Sequence, residues 1–249
     1  MKRALAFVLL VLGLGSWTFG QDTDYVMFET IYLKPDMEKM DDLKKNMAVH
    51  NEKYHKEGTP YDSHIWYVHS GPHEGHLLWA MGPCTFTDLD NRPAGEDHEK
   101  DWKDNIAPYI KKETGLAYWK RDDKLSYNPQ VDGSSDKVVW ALFKIKPFEG
   151  YRFDEMLKKI QKVYKEKNYP YGYAVYRSQF DSESGYDLVI ENMFDKWAFF
   201  DRERTFMKDY EEIHGQGSWM KLMEEYKDVV CDVIDELAEF QPEMSGVKE

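Results

Sequence analysis

The chain has little cysteine and, beyond its first residues, no long apolar run. Only two of its 249 residues are cysteines, Cys84 and Cys231, which argues against a disulfide-rich scaffold. They could form one disulfide or remain as two separately buried thiols. After residue 20 no apolar run is long enough to cross a bilayer. Basic residues number 33 against 46 acidic ones, without a Lys- and Arg-rich patch, so we expect no nucleic-acid partner.

The signature motifs of several protein classes are also missing. The sequence contains no G-x-G-x-x-G, P-loop, C-x-x-C, G-x-S-x-G or H-E-x-x-H pattern. Nucleotide binding, zinc-ribbon folding and serine hydrolase chemistry therefore have no support. Aromatic residues make up 15% and hydrophobic residues 42%, enough to bury one large core or two small ones.

Residues 1–20 are typical of a secretory signal peptide. Lys2 and Arg3 supply the positive start, and the 11 apolar residues from Ala4 to Leu14 are too few for a membrane-spanning helix. Small residues follow, which favours cleavage before Gln21 over the alternative of an uncleaved anchor. We therefore expect a secreted or periplasmic protein without a membrane span after removal of the signal.

The remaining chain repeats itself. "IYLKP" at Ile31–Pro35 recurs as "FKIKP" at Phe143–Pro147, and "TPYDSHIWYV" from Thr59 matches "YPYGYAVYRS" from Tyr169, 110 residues later. The polar stretch "QVDGSSD" at 130–136 is typical of a linker. We therefore predict a first repeat over 21–129, a second over 137–244 and a short tail at 245–249.

Each repeat has the same predicted order of elements. A strand ends at a proline, a helix and a β-hairpin follow, and a second helix precedes a short final strand. In the first repeat Asp36 is the expected N-cap, and the second helix is expected from His98 to about Lys120. The order βαββαβ, twice, predicts an α+β protein of two tandem ferredoxin-like units. Because each sheet leaves one apolar face bare, we expect the two faces to close into one intrachain barrel.

The strand–"LKPD"–helix opening, the βαββαβ order and the tandem copies resemble the dimeric α+β-barrel superfamily. The antibiotic-biosynthesis-monooxygenase-like and NIPSNAP-like members are the most similar in these features. The resemblance implies the fold and covers nearly all of residues 24–244. Members of the superfamily include cofactor-free oxygenases, haem enzymes, isomerases and proteins without known activity, and no catalytic signature transfers residue by residue.

Two histidines and two tryptophans are the candidate ligand-binding residues: His50, His64, Trp66 and Trp79. His64 begins a strand that carries Trp66, and we expect Trp79 across the hairpin from them. A histidine beside indole rings could orient a flat ligand or act as a general base. Alternatively, the histidines are satisfied interior residues and the tryptophans are core. Glu29, between apolar neighbours, is either a barrel-facing carboxylate or a rim charge.

A second histidine group lies at the hairpin end "VHSGPHEGH". If Ser70 pairs with Gly75, His69 lies across from His76. With His73 and Glu74 these imidazoles could bind a transition metal, or they could form a solvated hairpin tip. We expect no cofactor, with this metal site and a haem implied by the resemblance as the alternatives.

These observations predict an exported protein that binds a small apolar or aromatic molecule in its barrel. The alternatives are a cofactor-independent monooxygenase or isomerase with His64 or His50 as base, and a structural or partner-binding module with a filled core. A cavity of about 300 Å³ or more with convergent polar groups favours the first two. The sequence leaves homo-oligomer formation open.

Overall fold

The protein forms a closed barrel of eight antiparallel strands in the computed structural model, which describes residues 25–93, 95–129, 135–183 and 185–248. The predicted signal peptide and most of the predicted linker lie outside the described residues. The first repeat supplies β1 (Met27–Pro35), β2 (Ser63–Ser70), β3 (Leu77–Met81) and β4 (Ile110–Arg121). The second supplies β5 (Lys137–Ile145), β6 (Ala174–Ser178), β7 (Leu188–Phe194) and β8 (Val230–Phe240).

The order of strands around the barrel is β1-β3-β2-β8-β5-β7-β6-β4. Within each repeat the strands follow the ferredoxin-like order, and the last strand of each repeat pairs with the second strand of the other, β8 with β2 and β4 with β6. The predicted α+β fold of two tandem units in one intrachain barrel is therefore confirmed.

Six α-helices in the described ranges cover the outside of the barrel: α1 (Met40–Tyr54), α2 (Phe86–Leu89), α3 (Glu96–Asp101), α4 (Gly150–Glu166), α5 (Phe206–His214) and α6 (Ser218–Val229). As predicted, the Asp36 side chain caps the turn that leads into α1, accepting a hydrogen bond from the Glu38 amide. None of the helices in the described segments has the length and apolarity needed to cross a membrane.

The helix expected from His98 to about Lys120 is wrong beyond its first half. Helical turns end at Tyr109, and residues 110–121 form the long strand β4. A continuous helix is interrupted there by Pro108 and by Gly115, and Gly115 has a φ of +70°. The final strands of the two repeats, β4 and β8, are 12 and 11 residues long, although we expected short strands. Each is long because it pairs with a strand of its own repeat and with a strand of the other repeat.

The barrel interior is a core shared by the two repeats. The first repeat contributes Tyr32, Trp66, Val68, Leu78, Ala117 and Trp119, and the second contributes Val138, Trp140, Leu142, Tyr176, Val189 and Ala238. Separate apolar clusters lie outside the barrel, between each sheet and its own helices. The shared cluster removes from water the sheet face that each repeat alone would expose.

A β-bulge sets the register of the first hairpin. The Val68 amide donates to the His76 carbonyl, while the Gly75 amide donates to the Val68 carbonyl, and Gly75 has a φ of +77°. Two residues thus oppose Val68, in the G1 arrangement. Beyond the bulge Tyr67 pairs with Leu77, so the expected pairing of Ser70 with Gly75 is wrong by one residue.

The C-terminal residues pack against the first repeat. Met244 and Ser245 are fully buried, although we expected a tail from residue 245. The Ile65 amide donates to the Ser245 hydroxyl, and the Asn51 side chain donates to the Met244 carbonyl. Cys84 is buried and Cys231 exposed, as two free thiols.

Candidate functional site

A cavity of about 130 Å³ lies inside the barrel between the two sheets. Its walls are mostly aromatic and aliphatic and come from both repeats, among them Trp66, Leu78, Trp119, Trp140, Tyr176 and Val189. The interior is therefore neither solid nor as large as the roughly 300 Å³ that we took to indicate a ligand pocket. It has room for about one aromatic ring, since an engineered cavity of roughly 150 Å³ binds benzene.

The four predicted ligand-binding residues fall on two sides of the sheet. His64 and Trp66 line the cavity. Trp79 pairs with Ile65 and faces the helices, where it contacts His50. Because side chains alternate along a strand, a shift of one residue moves a residue to the opposite face. The structure therefore does not bring the four together.

A hydrogen bond fixes the orientation of the His64 ring in the wall of the cavity. Its Nε2 donates to the Gly82 carbonyl oxygen over 3.1 Å, which leaves the lone pair on Nδ1. Burial lowers the pKa of His64, so the neutral form is favoured. A neutral imidazole with a free lone pair can accept a proton or a hydrogen bond.

Glu191, on β7, is a cavity residue that sequence reasoning missed. Its carboxyl group accepts hydrogen bonds from the Trp140 indole over 3.0 Å and the Tyr176 hydroxyl over 3.4 Å. Burial raises the pKa of Glu191, which favours the protonated acid. The signal in the sequence was one charged residue in the stretch "LVIENMF", which is apolar apart from Glu191 and Asn192.

A second polar group lies beside the cavity, where Tyr32 and His73 are part of the lining. The carboxylate of Glu236, fully buried on β8, accepts from the Tyr32 hydroxyl over 2.5 Å and from His73 Nδ1 over 2.6 Å. The His73 and Tyr32 rings stack, with centroids 3.8 Å apart. Tyr32 and Glu236 are 204 residues apart, so no local pattern could have paired them.

The hairpin histidines do not converge on one point. His69 Nε2 bonds to Glu239 over 3.0 Å, His73 turns toward Glu236, and His76 Nδ1 donates to the His73 carbonyl oxygen. Glu29 pairs with Arg92 over 2.6 Å outside the barrel, so it is not a barrel-facing carboxylate. The bulge accounts for the histidine arrangement, because it places His76 opposite Val68 instead of His69.

A haem does not fit the cavity in this structure. A macrocycle larger than most drug-sized ligands needs more than the roughly 130 Å³ between the tryptophans.

Solved structures share this fold. A candidate monooxygenase from Lactobacillus acidophilus NCFM matches with a TM-score of 0.54 and 11% identity, over 90% of this chain and 97% of that one. An anthrone oxidase-like protein matches with a TM-score of 0.54 and 14% identity, over 88% and 92%. A mutant chlorite dismutase from Candidatus Nitrospira defluvii matches with a TM-score of 0.53 and 9% identity, over 87% of this chain and 93% of that one.

No protein-family model and no curated protein matches the sequence. The structural similarities lie far below the identity at which function transfers, so they establish the fold alone. The chain has the tandem ferredoxin-like barrel fold that these solved structures share, which is the fold its sequence features predicted.

Proposed function

We propose that the protein binds a small apolar or aromatic molecule, about one ring in size, inside the barrel. The observation that supports this is a cavity of about 130 Å³ with tryptophan walls and the half-buried acid Glu191 in its lining. Aromatic walls favour a flat ligand, and a protonated Glu191 would donate a hydrogen bond to a hydroxyl or carbonyl on it.

The size and polarity of the cavity define the test. We expect phenol to bind the full-length protein with a Kd in about the micromolar to millimolar range, as a ligand of few atoms allows. We expect 2-naphthol to bind at least about tenfold more weakly, because its second ring exceeds the available volume. Isothermal titration calorimetry measures both affinities.

Matched variants distinguish the cavity from nonspecific binding. Ala117→Leu fills the cavity and should abolish phenol binding. Ala141→Leu adds the same side chain on β5, against the helices of the second repeat, and should leave binding intact. Equal binding of phenol by both variants would show that the barrel interior is not the site.

Catalysis without a cofactor is the second candidate function, and the hydrogen bond from His64 to Gly82 favours it. With Nε2 engaged, Nδ1 of His64 would accept a proton from a bound substrate. An enzyme would lose turnover in His64→Ala while it retained most of its ligand affinity. If no turnover of any bound compound is found in the unaltered protein, binding alone remains.

The signal-peptide pattern in residues 1–20 supports a further part of the proposal, that the protein acts outside the cytoplasm. Native mass spectrometry of protein purified from its own host tests both parts at once. The mature mass reports cleavage before Gln21, and any retained small molecule adds its own mass.

A further inference from the structure

Three histidines meet outside the barrel, between α1 and α3. His50 lies on α1, His55 directly follows α1, and His98 lies on α3. Their ring centroids form a nearly equilateral triangle, with sides of 5.4, 5.1 and 5.3 Å. One nitrogen from each ring lies within 4.8 Å of the other two. This cluster is separate from the barrel cavity and from the hairpin histidines.

Hydrogen bonds to Nδ1 fix the orientation of the His50 and His55 rings. His50 Nδ1 bonds to the Asp101 carboxylate over 2.7 Å, and His55 Nδ1 donates to the Tyr61 carbonyl oxygen over 3.1 Å. These bonds leave the lone pairs of His50 and His55 on Nε2, and that of His55 accepts a hydrogen bond from His98 Nε2, which a metal ion would replace. Carboxylate and carbonyl partners on the far nitrogen are typical of histidines that bind a metal.

His50 also carries an unexplained buried atom. Its side chain is fully buried, and its Nε2 has no hydrogen-bond partner among the described residues. A buried polar atom without a partner costs about 1–3 kcal/mol, so a histidine serving only as core is a poor explanation. A bound cation would satisfy this lone pair.

We propose that His50, His55 and His98 bind a divalent transition-metal ion of the Zn²⁺ type. Zn–N bonds of about 2.0–2.1 Å in a tetrahedral site place ligand nitrogens about 3.3 Å apart. The Nε2 atoms of His55 and His98 are already 3.2 Å apart. All three ligand nitrogens lie within 4.8 Å of one another, at most about 1.5 Å farther apart than a tetrahedral zinc site requires. Rotation of the side chains can close this difference.

Acidic residues lie beside the cluster, together with the cationic side chains of Lys53 and Arg92. Asp97, Glu99 and Asp101 lie beside His98 on the short acidic helix α3. The stacked indoles of Trp79 and Trp102 shield the cluster on one side.

Three protein ligands leave one position of a tetrahedral ion open. His55 and His98 line a cleft of about 350 Å³, together with Trp79, Trp102 and Arg92. A zinc site with three protein ligands and an adjoining cleft is the arrangement of catalytic rather than structural sites. The fourth position would therefore take water or a small ligand that enters through this cleft.

Titration of the metal-free, full-length protein with Zn²⁺ or Co²⁺ tests the site. We expect one ion per chain, and with Co²⁺ the intense visible absorption of four-coordinate geometry. His98→Ala, which removes the most exposed ligand, should weaken Zn²⁺ binding by more than about 100-fold. Asp101→Asn, which alters the carboxylate that bonds to His50 and to Asn105 and leaves all three ligands in place, should weaken it by about 10- to 100-fold.

Two control variants complete the design. His69→Ala removes an exposed hairpin histidine, and His214→Ala removes the histidine of the second repeat; both should leave the affinity unchanged. Circular dichroism establishes that each variant is folded. The proposal would be overturned by equal affinity of His98→Ala and the unaltered protein, or by loss of binding in His69→Ala instead. Failure of phenol to enter the barrel would not affect this result.

Discussion

Replacing Trp140 with alanine is expected to lower the free energy of unfolding by about 3–5 kcal/mol. Trp140 lies on β5 of the second repeat, is 7% exposed, and packs edge-on against Trp66 of the first repeat at 5.6 Å. Its indole also donates to the half-buried carboxyl of Glu191. Alanine would leave a cavity between the two sheets and remove one of the hydrogen bonds to that carboxyl.

Trp197→Ala is the matched control for this prediction. Trp197 is 55% exposed and lies in a short helical turn after β7, so its loss should change stability by no more than about 0.5 kcal/mol. Urea unfolding followed by circular dichroism measures both values. Equal small effects would show that the two repeats do not share the core around Trp140.

The second large effect is expected for Gly246→Ala, at a cost of about 3 kcal/mol. A β-carbon at this position would lie 1.7 Å from the carbonyl oxygen of His55, which is backbone and cannot rotate away. If the C-terminal segment detached to avoid this contact, Met244 would lose its full burial, at a cost of about 1.5–3 kcal/mol. Either response destabilises the protein.

Gly150→Ala provides the control, because it is the same substitution at a position with no neighbour within 4 Å. It begins α4, where alanine is the better helix former, so we expect no loss and a gain of up to about 1 kcal/mol. Thermal and urea unfolding distinguish the two. A Gly246→Ala variant as stable as the unaltered protein would show that residues 244–246 do not pack on the first repeat.

The architecture could be predicted from the sequence because it depends on repetition and burial. The offset of 110 residues between Pro60 and Pro170 identified two copies. An unpaired apolar sheet face in each copy required a partner, and the other copy was the nearest one. The boundary of the second helix was harder, since "IKKETGLAYWKR" at Ile110–Arg121 becomes a strand by pairing with distant residues.

The candidate sites could be predicted only in part, because they depend on register and on long-range contacts. In the bulge both Gly75 and His76 oppose Val68. If Gly75 alone opposed Val68, Trp79 would face into the barrel opposite His64. A glycine in a strand indicates that a bulge can form there, but it does not determine which residues of the two strands pair. His50 and His98 are 48 residues apart and meet only because α3 packs beside α1.

Cleavage of the chain between the repeats tests the shared core most directly. A protease site introduced within residues 130–134 allows the folded protein to be cut where the repeats join. Because β2 pairs with β8 and β4 with β6, the two fragments should elute together as one particle and unfold in one transition. Two fragments that elute separately, each folded and monomeric, would contradict the barrel and the cavity that depends on it.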